Sequence, residues 1–358
     1  MANNNQLTAQ QRAALFGAST RQHWQMIGKQ EVTGGAQTIQ FRVPKARILR
    51  GMKLWVEAKM KIKHSSSTSI ALPSSVAPYK LFRLITVDFN NGFRPIAVAG
   101  DELALNNMLY TEPHMVENAA DGTTLCKCPS PLVASSSGTE NTISFMLDVP
   151  LGLNYRDPVG LVLAQNAETS IDLTLDVANA AAIIDSASGY TCDFTNVKVE
   201  VMCDTFSIPA DSRAWPDFSV LKILDSRNEA ITQGQNYVKL PVGMIYRKLI
   251  LKFEDTNGAA FSDDDITSNI DLVMNTADTP YSISPKMLRA IDKQQAGLDF
   301  PKGTYYFSLD FQGVNGYGGS RDYIDAERIT EFAVRFTAGK AGKLTVISEK
   351  LSRLIAAG

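Results

Sequence analysis

The sequence predicts an all-β chain: two antiparallel β-sandwiches in tandem, about eight strands each, with a short helix at the N-terminus and one helix inside each sandwich. Three observations predict it. Apolar residues recur with period two in many short segments, the signature of half-buried strands. Turn chemistry such as Asn91-Gly92 and Asn257-Gly258 separates those segments. The motif Thr-x-x-Phe-x-Leu-Asp occurs twice, as Thr142, Phe145, Leu147, Asp148 and as Thr304, Phe307, Leu309, Asp310.

Leu7 to Gly17 reads as a short helix. Thr8 and Gln11 have capping-box spacing, Gly17 suits its end, and Ala9, Ala13 and Phe16 share a face with Leu15 alongside. So short a helix is marginal alone in water and needs a docking surface. Alternation then dominates. Leu54, Val56, Ala58, Met60 and Ile62 form one face of a strand, with Trp55, Glu57, Lys59, Lys61 and Lys63 on the other. The pattern returns at Ile171, Leu173, Leu175 and Val177, and at Val197, Val199 and Val201. Later strands cover 237–240, 249–253, 305–311, 332–336 and 344–347. Two internal helices stand out. One opens at Asp101, with Leu105, Met108 and Leu109 on a face. The other opens at Ser284-Pro285, with Met287, Leu288 and Ile291 on a face and Gly297 to close it.

Each internal helix follows a strand and a turn and precedes a Thr-x-x-Phe-x-Leu-Asp strand. Upstream of each lies an Ile-x-Arg strand entry, Ile48/Arg50 and Ile245/Arg247. The shared order indicates a duplicated fold. Eight antiparallel strands with a helix in a long connection suit a jelly roll. The run Pro209 to Pro216 has no alternation, and its prolines suit a boundary. The expected organisation is an N-terminal helix and arm over 1–35, a first jelly roll over 36–208, a linker over 209–217, a second jelly roll over 218–350 and a tail over 351–358. In that tail Leu351, Leu354 and Ile355 stand at helical spacing and reach a neighbour or pack on their own domain.

Length and charge are consistent with this. The chain has 358 residues, enough for two domains, and its 44% hydrophobic content supplies two cores. A net charge of −2 lacks the basic footprint of a nucleic-acid coat, so no direct nucleic-acid contact is expected. Residues 1–64 hold eleven Lys or Arg against Glu31 and Glu57, a balance of +9 that leaves −11 for the remainder. Such asymmetry marks either a surface facing something anionic or bases on a solvated strand face. Four cysteines, Cys126, Cys128, Cys192 and Cys203, make no disulfide framework, and reduced thiols are expected. The start Met-Ala-Asn-Asn-Asn-Gln lacks signal-peptide character, and no apolar run approaches the roughly 20 residues needed to cross a bilayer.

Three stretches resemble the major capsid proteins of tectiviruses, tailless bacteriophages with a membrane beneath an icosahedral shell: QLTAQQRAALFG, ARILRGMKLWVEAKM, and DFPKGTYYF at Asp299 to Phe307. The last is the most specific, because strand periodicity does not explain it. The resemblance implies a double jelly roll that forms homotrimers, so that three chains present six similar lobes and tile as a hexagon would. It also implies a place in the virion shell after synthesis in the bacterial host cytoplasm, and partners beyond itself: neighbouring capsomers, penton and minor capsid or membrane proteins, and membrane lipids peripherally. The N-terminal segment would lie near the membrane or a neighbouring capsomer, through Leu7, Arg12, Leu15, Phe16 and Arg21. Leu351, Leu354 and Ile355 would make C-terminal contacts.

No catalytic set is recognisable, and no enzyme activity, cofactor or metal is expected. His23, His64 and His114 are far apart, and Cys126-x-Cys128 with one histidine lacks zinc spacing. Asp263-Asp264-Asp265 lacks the alternating ligands and glycine of a calcium loop. GVNGYGG at 313–319 follows a strand but opens no apolar helix, so it is a loop tip rather than a phosphate cradle. The alternatives are a β-sandwich receptor- or carbohydrate-binding spike module, in which Tyr317 and Tyr323 would be presented, and a hydrolase on a jelly-roll scaffold.

Overall fold

The computed structural model describes residues 9–90, 92–108, 130–153, 158–165, 168–276, 278–297, 299–309 and 323–353. The N-terminal helix α1 (Ala9–Ser19) leads into β1 (Gln22–Val32), β2 (Thr38–Arg42), β3 (Ile48–Lys63), β4 (Thr68–Ile70), β5 (Phe82–Phe89) and β6 (Phe93–Val98). Helix α2 (Gly100–Met108) follows, then β7 (Leu132–Ala134), β8 (Thr139–Pro150), β9 (Val162–Leu163), β10 (Ile171–Val177) and β11 (Thr191–Phe206). The second lobe runs through β12 (Val220–Ile231), β13 (Gly234–Leu240), β14 (Ile245–Asp255), β15 (Ile270–Met274) and β16 (Asp278–Ile283). It continues with helix α3 (Pro285–Ala296), β17 (Thr304–Ser308), β18 (Ile324–Asp325), β19 (Phe332–Ala338) and β20 (Gly342–Arg353).

The lobes share one topology. In the first, β1-β11-β3-β8 faces β2-β10-β5-β6; in the second, β12-β20-β14-β17 faces β13-β19-β15-β16. Every strand of the first octet has a counterpart in the second, in the same sheet position and chain order. Helix α2 interrupts the connection from β6 to β8, and α3 the matching one from β16 to β17. Each lobe is thus an eight-stranded jelly roll. The two are joined where β12 lies parallel to β6, Leu224 opposite Ile96 and Asp225 opposite Ala97, so one continuous sheet passes through both.

Alternation does what the sequence predicts on β3. Leu54, Val56, Ala58, Met60 and Ile62 are fully buried, while Glu57, Lys59 and Lys63 are exposed. Val197, Val199 and Val201 of β11 join that core, as do Leu173 and Leu175 of β10. Three expectations change. β1 lies inside the segment expected as an arm, yet it pairs along β11 as a sheet edge. Its side chains are exposed or half-buried on both faces, so it carries no alternation to read. Helix α3 starts and stops as expected: Ser284 Oγ accepts the Met287 N–H, and Gly297 caps with φ 71°. Its buried side, however, is Leu288 and Asp292, and Met287 is 58% exposed. Leu351 extends strand β20, so its spacing is that of a strand at this residue, and Leu354 and Ile355 lie outside the described residues.

The two repeated motifs sit on equivalent strands but not in one frame. Arg50 is the extra residue of a bulge in β3, since Leu49 and Gly51 pair with the consecutive residues Thr205 and Asp204. Arg247 is the extra residue of a bulge in β14, since Tyr246 and Lys248 pair with Lys350 and Glu349. Each arginine binds the acid beside it, Asp204 or Glu349. Phe145 pairs with Val56, six residues beyond Arg50, whereas Phe307 pairs with Leu249, two residues beyond Arg247. The Phe repeat is therefore displaced by four residues against the arginine repeat.

Candidate functional site

The candidate functional surfaces are those by which the two lobes meet and those they leave exposed. The junction between the lobes is the best defined. The inner face of the β12-β20-β14-β17 sheet packs on its own lobe. Its outer face carries Leu224, Ile250, Tyr306 and Ile347 into the first lobe's core cluster. That sheet is consequently buried on both faces, and β17 reads buried at all five positions.

Charged groups are trapped in this junction. Glu349, Lys222, Arg247 and Lys248 are all at most 2% exposed. Glu349 binds Arg247 and lies 3.4 Å from Lys248 and 3.8 Å from Lys222. The cations reach onward into the first lobe. Lys222 Nζ donates to Gly152 O at 3.0 Å, Arg247 Nη1 to Leu153 O at 3.3 Å, and Lys248 Nζ to Asn106 Oδ1 on α2 at 3.1 Å. Burial alone would raise the Glu349 pKa; Lys248, Lys222 and Arg247 outweigh it and hold the carboxyl at about 2. Nearby, Lys252 bridges Asp101 of α2 at 3.0 Å and Glu254 at 2.8 Å. Glu102 of α2, its pKa raised by burial, hydrogen-bonds Ser226 of β12 and accepts the Ala99 N–H.

The stretch DFPKGTYYF is part of this device. Asp299 pairs with Lys293 at the end of α3. Phe300 stacks on Tyr306 with centroids 4.0 Å apart. Gly303 has φ 70°, and a Cβ there would meet Phe253 O at 2.6 Å, so only glycine fits. Tyr305 donates to Asp263 within its own lobe at 2.8 Å, while Tyr306 donates across the junction to Leu105 O of α2 at 2.8 Å. Asp292 of α3 accepts the Tyr306 N–H at 3.0 Å, and burial pushes its carboxyl up to about 7.

The N-terminal residues are divided. Leu7 lies outside the described residues. Phe16 is 4% exposed and packs with Ile48, Leu161, Phe206 and Phe218 of its own chain, edge-on to Phe206 at 5.2 Å. At Phe16 the apolar face expected to meet lipid or a neighbour is thus covered by the chain itself. Helix α1 runs past Gly17 to Ser19, where the Ser19 and Thr20 hydroxyls donate to Leu15 O and Phe16 O, both at 2.7 Å. Arg12 and Leu15 are half-buried and Arg21 is exposed. The Ser219 hydroxyl and N–H, with Arg12 adding a smaller charge effect, hold Asp217 of the linker below the usual carboxylate range. Leu351 packs against Leu153 and Ile245 at the end of the lobes marked by the arginine bulges.

The +9 of residues 1–64 is met largely from within. Lys29 pairs with Glu200, Arg42 with Asp172, Arg50 with Asp204, Lys53 with Asp148 and Lys59 with Glu140, so at least five of the eleven bases face acids of distant strands in the same chain. Asp263, Asp264 and Asp265 form a 3-10 turn and bind Arg289, Lys286 and Lys340 respectively. Cys192 and Cys203 are buried, which pushes both thiols up to about 12. His64 stacks on Tyr190; His114, Cys126, Cys128, Tyr317 and residues 313–319 lie outside the described residues. Tyr323 hydrogen-bonds Arg247 from the edge of the junction. Among the described residues no group of three His, Cys, Asp or Glu is placed to hold a metal, and no helix is long and apolar enough to cross a membrane. A cavity of about 390 Å³ near Phe16's docking site is lined by Phe89, Phe93, Leu161, Leu163, Phe218 and other residues, with Asn90 and Thr169 its polar members and no titratable group.

No protein-family model matches the chain, and no curated protein matches it in sequence. Solved structures match it in fold. The STIV MCP, from Sulfolobus Turreted Icosahedral Virus, aligns with a TM-score of 0.68 over 93% of this chain and 97% of that one, at 11% identity. A chain of the PBCV-1 virus capsid aligns at 0.60 over 93% of each, at 10% identity. The major capsid protein P2 from bacteriophage PM2 aligns at 0.54 over 94% of this chain and all of that one, also at 10% identity. The topology and these likenesses agree: the chain has the double jelly-roll fold.

Glu349→Gln leaves three buried cations without their carboxylate and should cost about 3–5 kcal/mol in chemical denaturation. Phe16→Ala should cost about 3 kcal/mol and release α1, seen as faster amide exchange over residues 9–19 than in the parent chain. Asp292 binds its proton more tightly folded than unfolded, so its stabilising term is full below about pH 4 and is lost as pH rises toward 7. The stability of Asp292→Asn relative to the parent should therefore rise across that window; a pH-independent difference in denaturation midpoints would contradict this.

Proposed function

We propose that the chain is the major capsid protein of an icosahedral virus, self-assembling as pseudo-hexagonal homotrimers around an internal membrane, as the tectivirus resemblance implies. The observation that carries the reading is the duplication itself: two jelly rolls of identical topology, joined by a buried junction. A three-fold assembly of such chains has six similar lobes and can pave a surface in hexagonal order. The aligned capsid proteins of the Sulfolobus virus, PBCV-1 and PM2 support the same reading.

In this reading the chain's partners are its own copies, neighbouring capsomers, penton and minor capsid or membrane proteins, and lipid at the periphery. The α1 end is the side turned to the membrane, and with Phe16 engaged internally the groups left to act there are Leu7, Arg12, Leu15 and Arg21. Each basic residue near an anionic leaflet contributes about 1 kcal/mol. Leu354 and Ile355, outside the described residues, are assigned to contact with a neighbouring copy.

Sedimentation and negative-stain microscopy test the assembly: compact trimers with a hexagonal outline are expected, and a chain that stays monomeric at high concentration overturns the reading. Flotation with phosphatidylserine vesicles tests the membrane side. Removing residues 1–21 should abolish salt-sensitive binding; equal binding by the truncated and full chains would exclude that role for the segment.

A further inference from the structure

The internal junction uses two kinds of surface. The first lobe contributes the outer edge of β6 and a face of α2. The second contributes the outer edge of β12 and the outer face of its sheet. Because the lobes are duplicates, each carries both kinds, and the chain uses one of each. Left over are β16 with α3 on the second lobe, and β1 with the outer face of β1-β11-β3-β8 on the first.

Two registers fix which residues correspond. Thr86 pairs with Ala97 and Asp271 with Ser282, in hairpins of equal length, and Ala97 to Ser282 is the same 185-residue step as Gly100 to Pro285 at the helix starts. Pro95, Ile96 and Glu102 then correspond to Pro280, Tyr281 and Met287. The arginine bulges align Asp204 with Glu349. Asp204 pairs with Trp24 and Glu349 with Leu224; two residues on, Met202 pairs with Met26 and Ile347 with Ser226. Leu224 and Ser226 therefore correspond to Trp24 and Met26.

The leftover surfaces expose what such a contact needs. Inside the chain Leu224 opposes Ile96, and Ser226 hydrogen-bonds Glu102. The transferred contacts are Trp24 with Tyr281 and Met26 with Met287. Trp24, Met26 and Met287 are 67%, 64% and 58% exposed, the three most exposed large hydrophobic side chains among the described residues. Met202, directly opposite Met26, extends the same patch, with Trp55 and Met146 one row further on. Pro280 is no obstacle, because β6 carries Pro95 at the same place and still pairs with β12 through the next two residues.

We propose that a second copy of this chain occupies these surfaces. Strand β16 of one copy lies parallel along β1 of the next, with Tyr281 opposite Trp24 and Ser282 opposite Gln25, and α3 covers the neighbouring sheet face with Met287 on Met26. The inference rests on the homotrimer reading and specifies how the copies meet. The contact is head-to-tail, so it generates a ring when its rotation closes. In a trimer it gives six junctions of like geometry, three within chains and three between them.

The test uses the full chain. Adjacent parallel strands bring Cα atoms within disulfide reach, about 5 Å. Oxidised W24C/Y281C should run on non-reducing gels as dimers and trimers, whereas W24C and Y281C alone should stay single chains. In sedimentation M26K and M287E should each shift trimers toward monomer, and M26K/M287E should restore them, which separates a lost contact from a lost fold. Trimers that persist in both single variants, with no cross-link at 24/281, overturn this contact and leave the homotrimer standing. A parent chain that is monomeric overturns both.

Discussion

The structure depends on burying one sheet on both faces. A sandwich ordinarily leaves the outside of each sheet wet. Here the outside of β12-β20-β14-β17 is pressed against α2 and the residues that follow β8, with β6 along its edge. Removing water from such a face exposes any charge on it to a low dielectric, where an isolated ion costs several kcal/mol. Glu349 survives there because three cations surround it, and those cations are tolerated because they also reach carbonyl or amide oxygens of the other lobe. A shift of either lobe would break several of these bonds together. The cluster therefore specifies one relative placement of the lobes more than it adds net stability.

The same constraint separates what was legible in the sequence from what was not. Strand β3 is half-buried, so its alternation is plain. Strand β17 has neighbours on both sides, so Tyr305, Tyr306 and Phe307 run consecutively with no wet position between them. Strand β1 fails in the opposite sense: both of its faces are largely open, so Gln22, Trp24, Gln25 and Met26 carry no burial pattern. Local chemistry fared better than packing. Ser284, Pro285 and Gly297 marked the limits of α3 correctly, but the side it buries was decided by Tyr306 and the second lobe's core. Met287 consequently points away from the face expected of it.

Charge shows why composition along the chain misleads. The excess of +9 in residues 1–64 left open an anionic partner or a solvated strand face, yet Glu140, Asp148, Asp172, Glu200 and Asp204 offset much of it from strands 80 or more positions away. Sheet pairing brings distant segments together, so a local imbalance need not reach the surface. The repeat carries a similar lesson. The motif at Phe145 and Phe307 correctly revealed the duplication, but β3 places four more residues than β14 between its bulge and that pairing. The conformationally constrained arginine bulge marks equivalent positions more faithfully than a run of matching letters.

The two junction surfaces differ in chemistry for a physical reason. The internal contact joins lobes already tethered by a short linker, at an effective concentration no second molecule matches. Beside its apolar contacts it can therefore carry buried ions and hydrogen bonds whose net gain is near zero and whose value is in placement. A contact between separate chains must first offset lost translational and rotational freedom. Burial of apolar area supplies that surplus without demanding exact geometry at the moment of encounter. Ser226 and Glu102 inside the chain, against Met26 and Met287 on the exposed counterparts, follow that division.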